Sequence, residues 1–515
     1  MPNRFALFPF LRWWPRVGPR SLGQDALVGL TGAILALPQS IAYALIAGLP
    51  AEYGLYAAIV PVIIACLWGS SLHLIGGPTA AISVVLFASI SPLAEPGSAQ
   101  FIQLVLLLSF MAGAFQLVFG LLRFGALVNF VSQPVLIGFT LGAALVIALG
   151  QVPNLLGIEV QSQATAVLGV LELGEHLGES HGPSLLVAAL TLAVALLVRR
   201  YLPRFPALLL AILTGSLLVW SLPGVFAGVP LVAPFEGSLP PLTSIRFNLD
   251  TLLDLVPAAV AIGLLGLVTS LSIARALAAQ SGQVLDADTE VRGQGISNLI
   301  GPWFSGYLSA GSFTRSALNL QAGAQTPLAG VASALLVALF ALLGARLVAH
   351  IPLPAMGAGI LLICWGLVDR RGLRSLWRIS RPEFAVMAVT CAATLLLELQ
   401  TAIYAGMLAS LAVYLKRTSR PRLLRHQQGD EEVLTLEGSI FFGASPYLQR
   451  QIQRSHAPRV VIDAHHVNFV DYAGMVMLHD EARRLAGLGR KLVVRRARPV
   501  VADDLRKLDG VLVVE

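Results

Sequence analysis

Gly76-Gly77-Pro78-Thr79-Ala80-Ala81-Ile82-Ser83 and Ser309-Ala310-Gly311-Ser312-Phe313-Thr314-Arg315-Ser316 are the two stretches on which the fold turns. Each sets glycine, small hydroxyl residues and a helix start in the middle of a strongly apolar region, where the neighbouring runs are full membrane spans. Counted along the chain, they are the third segments of two halves of seven. Paired interruptions of this kind are what inverted repeats with broken helices look like in a sequence. A pair of ordinary Gly/Pro kinks is the alternative. The halves share negligible sequence identity, so the repeat is read from punctuation.

The surrounding composition sets the solvent. Of 515 residues, 56% are hydrophobic and 12% charged, about half the charged fraction of a soluble domain. Apolar runs of roughly 18 or more residues recur from Asp25 to Leu415, each long enough to cross a ~30 Å hydrocarbon core as a helix. The expected fold is therefore a polytopic α-helical membrane protein of about fourteen transmembrane segments in two inverted seven-segment repeats. Residues 1–24 carry Arg4, Arg12, Arg16 and Arg20 beside Trp13, Trp14 and Pro15, with no cleavable signal pattern, and read as a cytosolic segment at the membrane interface. Residues 25–415 read as the transmembrane region, 416–430 as a basic linker, and 431–515 as a small α/β domain of about 85 residues.

Charge asymmetry gives the orientation. Arg199, Arg200 and Arg204, then Arg370, Arg371, Arg374, Arg378 and Arg381, then Lys416 to Arg425 all fall on the cytosolic side when the N-terminus does, while Glu52, Glu95, Glu159, Glu172, Glu175 and Glu179 fall outside. An even number of spans with both termini cytosolic is the economical topology, in a bacterial inner membrane. Because the basic residues flank spans, the net charge of +7 points to the membrane rather than to nucleic acid. Cys66, Cys364 and Cys391 lie in apolar stretches without paired spacing, so neither a disulfide framework nor a metal site is expected.

An anion at the bilayer centre needs positive potential without many buried cations. Two half-helices aimed at one spot supply it through free N–H groups and helix dipoles. Backbone N–H groups at Thr79, Ala80, Ala81 and Ile82 and at Ser312, Phe313, Thr314 and Arg315, with hydroxyls of Thr79, Ser83, Ser312 and Thr314, are the candidate ligands. Arg315 adds a full charge, and an arginine at this depth costs at least ~2.5–3.5 kcal/mol, so it is functional or paired; an ion pair or a snorkelling position is the alternative. In the first span, Pro38 is expected to break the helix, leaving Gln39 and Tyr43 to face the same cavity, or to be satisfied between helices.

In the soluble part, Glu432 to Glu437 reads as a strand, Tyr447 to Arg454 as a helix, Arg459 to Ala464 and Lys491 to Arg495 as buried parallel strands, and Gly474 to Leu488 as the helix between them. His465-His466 reads as an exposed pair at a strand end, with no third metal ligand nearby. Asp286, Asp288 and Glu290 read as a helix cap or partners of Arg292, and Glu398 as a local partner near the outer end of the thirteenth segment. No catalytic constellation and no phosphate-binding glycine loop is visible, so neither an enzyme nor a cofactor is expected.

These residues amount to a resemblance. The stretch from Asp25 to Ser83, with Gly48-Leu49-Pro50, Tyr53-Gly54-Leu55-Tyr56-Ala57-Ala58 and Gly77-Pro78-Thr79-Ala80, resembles the sulfate permease (SulP) family of anion transporters, related to animal prestin and pendrin. Ser272-Ile273-Ala274-Arg275, Glu290, Gly293-Gln294-Gly295-Ile296-Ser297-Asn298 and Gly311 to Ala317 support it. Leu436-Glu437-Gly438-Ser439-Ile440-Phe441-Phe442, Val461-Ile462-Asp463, Asp471, Gly474 and Leu478 are similar to STAS (anti-sigma factor antagonist) domains.

The resemblance implies core and gate domains, an anion held between segments one, three, eight and ten, elevator-type alternating access, and a homodimer. It implies a secondary transporter of small inorganic or organic anions, sulfate or a similar oxyanion by default. A channel-like or uncoupled chloride/bicarbonate pathway, or a dicarboxylate carrier, is the alternative. The STAS-like domain is then regulatory, with a cytosolic protein as candidate partner. Two departures stand out. Thr269 aligns where relatives commonly carry an acidic residue, which removes a titrating partner for the anion. The phosphoacceptor serine of bacterial antagonists is replaced in Asp471-Tyr472-Ala473-Gly474.

Overall fold

The computed structural model describes residues 8–125, 132–158, 172–202, 205–233, 238–397, 399–506 and 512–515. Arg4, Glu159, Arg204 and Glu398 lie outside these residues. The chain forms two compact units, Met1–Met407 and Leu408–Glu515.

The helices of the first half are α1 (Pro19–Ile46), α2 (Ala51–Ala57), α3 (Val60–Trp68), α4 (Ala80–Ile90), α5 (Ala99–Leu121), α6 (Gln133–Leu156), α7 (Gly182–Tyr201) and α8 (Ala207–Ser221). The second half runs α9 (Leu249–Ser281), α10 (Ala287–Ile300), α11 (Phe313–Gln321), α12 (Leu328–Leu343), α13 (Leu353–Leu367), α14 (Arg370–Ile379), α15 (Arg381–Leu396) and α16 (Leu399–Thr418). With α2 joined to α3, and α13 to α14, seven helices among the described residues are long and apolar enough to cross a membrane. Two rows of seven segments result once α2 and α3 count as one and α14 is set aside. The short members α4 and α11 fall third in each row, as their glycine and hydroxyl punctuation predicts.

Packing divides the helices into two groups and repeats between the halves. In the core group α1 lies against α12, and its counterpart α9 lies against α5; α10 packs on both α5 and α3. In the gate group α6 packs on α13 and α15, and α7 on α8 and α13. Lipid tails are as apolar as leucine, so close contact rather than hydrophobic exclusion holds such helices together. The α5–α10 crossing shows how close. A Cβ on Gly113 would lie 2.4 Å from the Asn298 carbonyl carbon, and one on Gly295 would lie 2.4 Å from the Leu117 amide nitrogen.

Pro38 does not break the first span. The helix α1 runs unbroken from Pro19 to Ile46 with Pro38 inside it, because neighbouring helices in a membrane protein re-satisfy the carbonyl that a proline leaves unbonded. The acidic trio also resolves. Asp286 caps α10 by accepting from the Thr289 amide and meets Arg12 at 3.4 Å. Its carboxyl is held below the usual range: burial raises it, but the hydrogen bonds from Thr289 and Arg12 outweigh burial. Glu290 is buried and accepts from the Ser70 and Ser71 amides, while Asp288 accepts from the Gly125 amide. Arg292 bonds the Asp288 carbonyl and the Thr289 hydroxyl, not a carboxylate.

The second unit is a five-stranded sheet in chain order: β1 (Arg422–Gln428), β2 (Glu431–Glu437), β3 (Arg459–His466), β4 (Lys491–Arg495) and β5 (Val513–Val514). The last four run parallel, and α17 (Ser445–Gln453), α18 (Tyr472–Gly487) and α19 (Pro499–Arg506) connect them. The expected basic linker over 416–430 is corrected. It comprises the end of α16 and the antiparallel edge strand β1, which turns into β2 through Gly429 at φ 60°. A strand exposed along nearly its whole length has no alternation of apolar residues to betray it.

Asp463, on β3, gives this unit a pH signature. Burial raises its carboxyl, but the paired Arg496 guanidinium and the His465 amide lower it more, so it titrates below an ordinary aspartate. A depressed folded-state value stabilises the fold above the unfolded value of about 3.9, and that stability is lost as pH falls through the folded value. Asp463→Asn should therefore weaken hydrogen-exchange protection of the β3 amides of the full chain at pH 7. The difference from wild type should shrink towards zero in acid below pH 4.

Candidate functional site

The two chain interruptions meet. Residues leading into α4 and α11 are extended and pair through backbone bonds, from the Ala310 amide to the Gly77 carbonyl and from the Ser312 amide to the Ile75 carbonyl, both 3.0 Å. Side chains lock the pair. Ser316 Oγ accepts from the Ile75 amide at 2.8 Å, and Asn319 Nδ2 donates to the His73 carbonyl at 3.2 Å. Asn298 of α10 clamps Ser309 from both sides, accepting from its amide at 2.8 Å and donating to its carbonyl at 2.9 Å. Ser270 of α9 accepts from the Gly311 amide at 2.7 Å. Extended backbone at membrane depth is tolerated only when its polar groups are satisfied in this way.

The consequence is that α4, capped by Thr79, and α11, capped by Ser312, begin side by side. Neither cap side chain bonds its own helix, so both hydroxyls are open to a ligand. The first intrahelical donors are the amides of Ser83 and Ser316; those of Ala80, Ala81 and Ile82, and of Phe313, Thr314 and Arg315, are therefore the orphan first-turn donors. Between the helices lies Arg315, 3% exposed, whose Nη2 donates to the Pro78 carbonyl at 2.7 Å. Its guanidinium lies over Gly77, where a Cβ would come within 2.6 Å of Nη1. Among the described residues its Nε has no partner, and no carboxylate pairs with it. Phe313, 57% exposed, and Thr314 are exposed in the first turn of α11. A small crevice bounded by Val28, Ile75, Asn319 and Ser333 also reaches Arg315.

The helix α1 packs against both half-helices. Gln39 is 8% exposed with Oε1 unpartnered, and Tyr43, equally buried, lies within electrostatic reach of Arg315. Thus Gln39, Tyr43, Thr79, Ala80, Ala81, Ser312, Phe313, Thr314 and Arg315 gather in one region. Two details differ from the reading of the sequence. Ser83 faces away and meets the buried Tyr307 hydroxyl at 3.3 Å. The Ser312 amide is already used by Ile75. Thr269 bonds back to the Leu265 carbonyl of its own helix at 2.8 Å, and it is the adjacent Ser270 that reaches the extended stretch. Gln116 of α5 accepts from Asn298 Nδ2 at 2.8 Å; like Ser270, Asn298 and Tyr307 it supports the site without a sequence signal, because isolated polar residues carry no periodicity that distinguishes them from filler.

Residues 22–390 match the sulfate permease family and residues 423–511 the STAS domain. A sodium-independent sulfate anion transporter of Bos taurus is 30% identical over 534 residues, covering 95% of this chain and 87% of the relative. A putative sulfate transporter of Bacillus subtilis is 27% identical over 493 residues, covering 92% and 91%. Among solved structures, the murine solute carrier 26 family member A9 anion transporter in its inward-facing state superimposes with a TM-score of 0.90 at 19% identity, over 98% of this chain and 90% of that one. The transmembrane domain of a cyanobacterial bicarbonate transporter gives 0.68 at 25% identity, over 77% and 98%. The protein is a multi-pass anion transporter with a C-terminal STAS domain, and it belongs to the sulfate permease family.

Proposed function

We infer that the chain is a secondary transporter of small oxyanions, with sulfate as the default substrate, and that the anion binds between the N-termini of α4 and α11. The observation that carries this reading is Arg315, buried between two half-helix N-termini without a carboxylate partner among the described residues. A full positive charge in that position is costly unless an anion completes it. Orphan amides of both helices, the Thr79 and Ser312 hydroxyls and the unpartnered Gln39 replace part of the lost hydration shell. The core group of helices then carries the anion past the gate group in an elevator motion, within a homodimer. Both termini face the cytosol of a bacterial plasma membrane, and the STAS domain regulates turnover through a cytosolic partner.

Bicarbonate is the second reading, supported by the likeness to the cyanobacterial transporter. Counterflow of labelled sulfate and bicarbonate in proteoliposomes separates the two. Trapped sulfate should drive labelled sulfate uptake at least several-fold above the bicarbonate signal, and the reverse ranking would favour the second reading. The same vesicles test coupling. With Thr269 unable to change charge between pH 5 and 8 and bonded within its own helix, a proton gradient alone, at clamped voltage and without sodium, should leave uptake unchanged. Strong proton-driven uptake would overturn that reading of Thr269.

A further inference from the structure

The ten-residue helix α14, Arg-Arg-Gly-Leu-Arg-Ser-Leu-Trp-Arg-Ile from Arg370 to Ile379, joins the apolar helix α13 to α15, and none of its residues is buried. At about 100° per residue, Arg370, Arg371, Arg374 and Arg378 fall within a single sector of roughly 100°, Leu373, Leu376 and Ile379 occupy the opposite side, and Trp377 lies at the edge of the arginine sector beside Arg370. Trp377 is 60% and Ile379 81% exposed. Asp369 caps the helix by accepting from the Gly372 amide at 2.8 Å, and among the described residues it forms no ion pair with these arginines. Among the described residues Arg371, Arg374 and Arg378 have no ion-pair partner. The helix ends in aromatic anchors: the Arg370 guanidinium sits 4.2 Å over the Trp365 ring, and Trp377 packs edge-on against Phe384 at 4.8 Å. It packs on α15 and α6, both of the gate group.

A helix with leucine and isoleucine on one side, arginines on the other and a tryptophan at the boundary between them suits a surface that is apolar beneath and anionic above. We propose that α14 is an anionic-phospholipid-binding platform that pins the gate helices to the membrane face. Its arginines take the phosphates of acidic headgroups, where a planar guanidinium donates two bonds at once. Leu373, Leu376 and Ile379 sit at the acyl boundary, with Trp377 at the headgroup edge between them and the arginines. A stator held in this way gives the core helices a fixed surface to move against. The inference does not depend on which anion is carried, and its test reads lipid rather than substrate.

The test uses the full chain in vesicles of phosphatidylcholine mixed equally with phosphatidylglycerol, reading the association of spin-labelled phosphatidylglycerol against spin-labelled phosphatidylcholine. Each neutralised arginine is worth on the order of fivefold in local affinity. The triple variant Arg371→Gln, Arg374→Gln, Arg378→Gln should therefore abolish the phosphatidylglycerol preference of this site, and the corresponding lysine variant should keep most of it. In the unmodified protein, raising salt should erode the preference, a readout that needs no variant to fold. The proposal is overturned if the glutamine variant selects phosphatidylglycerol as wild type does. It is overturned equally if wild type shows no salt-sensitive preference, or if the variant instead loses its partner subunit with lipid selection intact.

Discussion

Arg315→Ala is expected to weaken anion binding by about two to three orders of magnitude while leaving the chain folded. Truncating one member of a buried, hydrogen-bonded charge pair costs roughly 2–5 kcal/mol, and every 1.4 kcal/mol is tenfold in affinity. The variant also strips the Pro78 carbonyl of its 2.7 Å partner, but the two extended stretches stay joined through Gly77, Ile75 and Asn319, and Asn298 and Ser270 still hold the second stretch. Folding therefore has supports that binding lacks. Arg315→Lys should recover part of the affinity, since it restores charge without the planar group that rests on Gly77. The measurement is a titration of labelled sulfate on protein that elutes as wild type. Wild-type affinity in the alanine variant would make the charge structural and move the site elsewhere.

Gly113→Leu should abolish folding of the membrane unit. Its Cβ would stand 2.4 Å from the backbone of Asn298, and backbone cannot rotate away as the end of a side chain can. Overpacking a core ordinarily costs 1–3 kcal/mol. Here the two helices would have to separate along a crossing where Gly295 faces Leu117 just as closely, and the loss exceeds that range. The damage reaches the site, because Asn298 clamps Ser309 from this crossing. Monodisperse yield after extraction checks it. Gly150→Leu is the matching control: on α6, a Cβ at this position would meet nothing within 4 Å, and the variant should extract normally.

The residue pattern by itself determined the solvent, the rows of helices and the two broken segments. Bilayer thickness imposes a run length, and a helix that starts mid-membrane needs glycine, proline and hydroxyl residues to start it. Arg315 was legible for the same reason, as a lone charge where charge is expensive. The parallel strands β3 and β4 were legible because strands buried on both faces are continuously apolar. Strand β1 was not, since an exposed edge strand held by backbone pairing carries no apolar period. Only the tertiary structure decided that Pro38 lies within an unbroken helix, that Ser83 turns towards Tyr307, and that Ser270 rather than Thr269 supports the extended stretch. Neighbouring positions on a helix point about 100° apart. Composition is the same whichever one faces the site, so that choice belongs to packing between segments distant in sequence, as in the clamp that Asn298 places on Ser309.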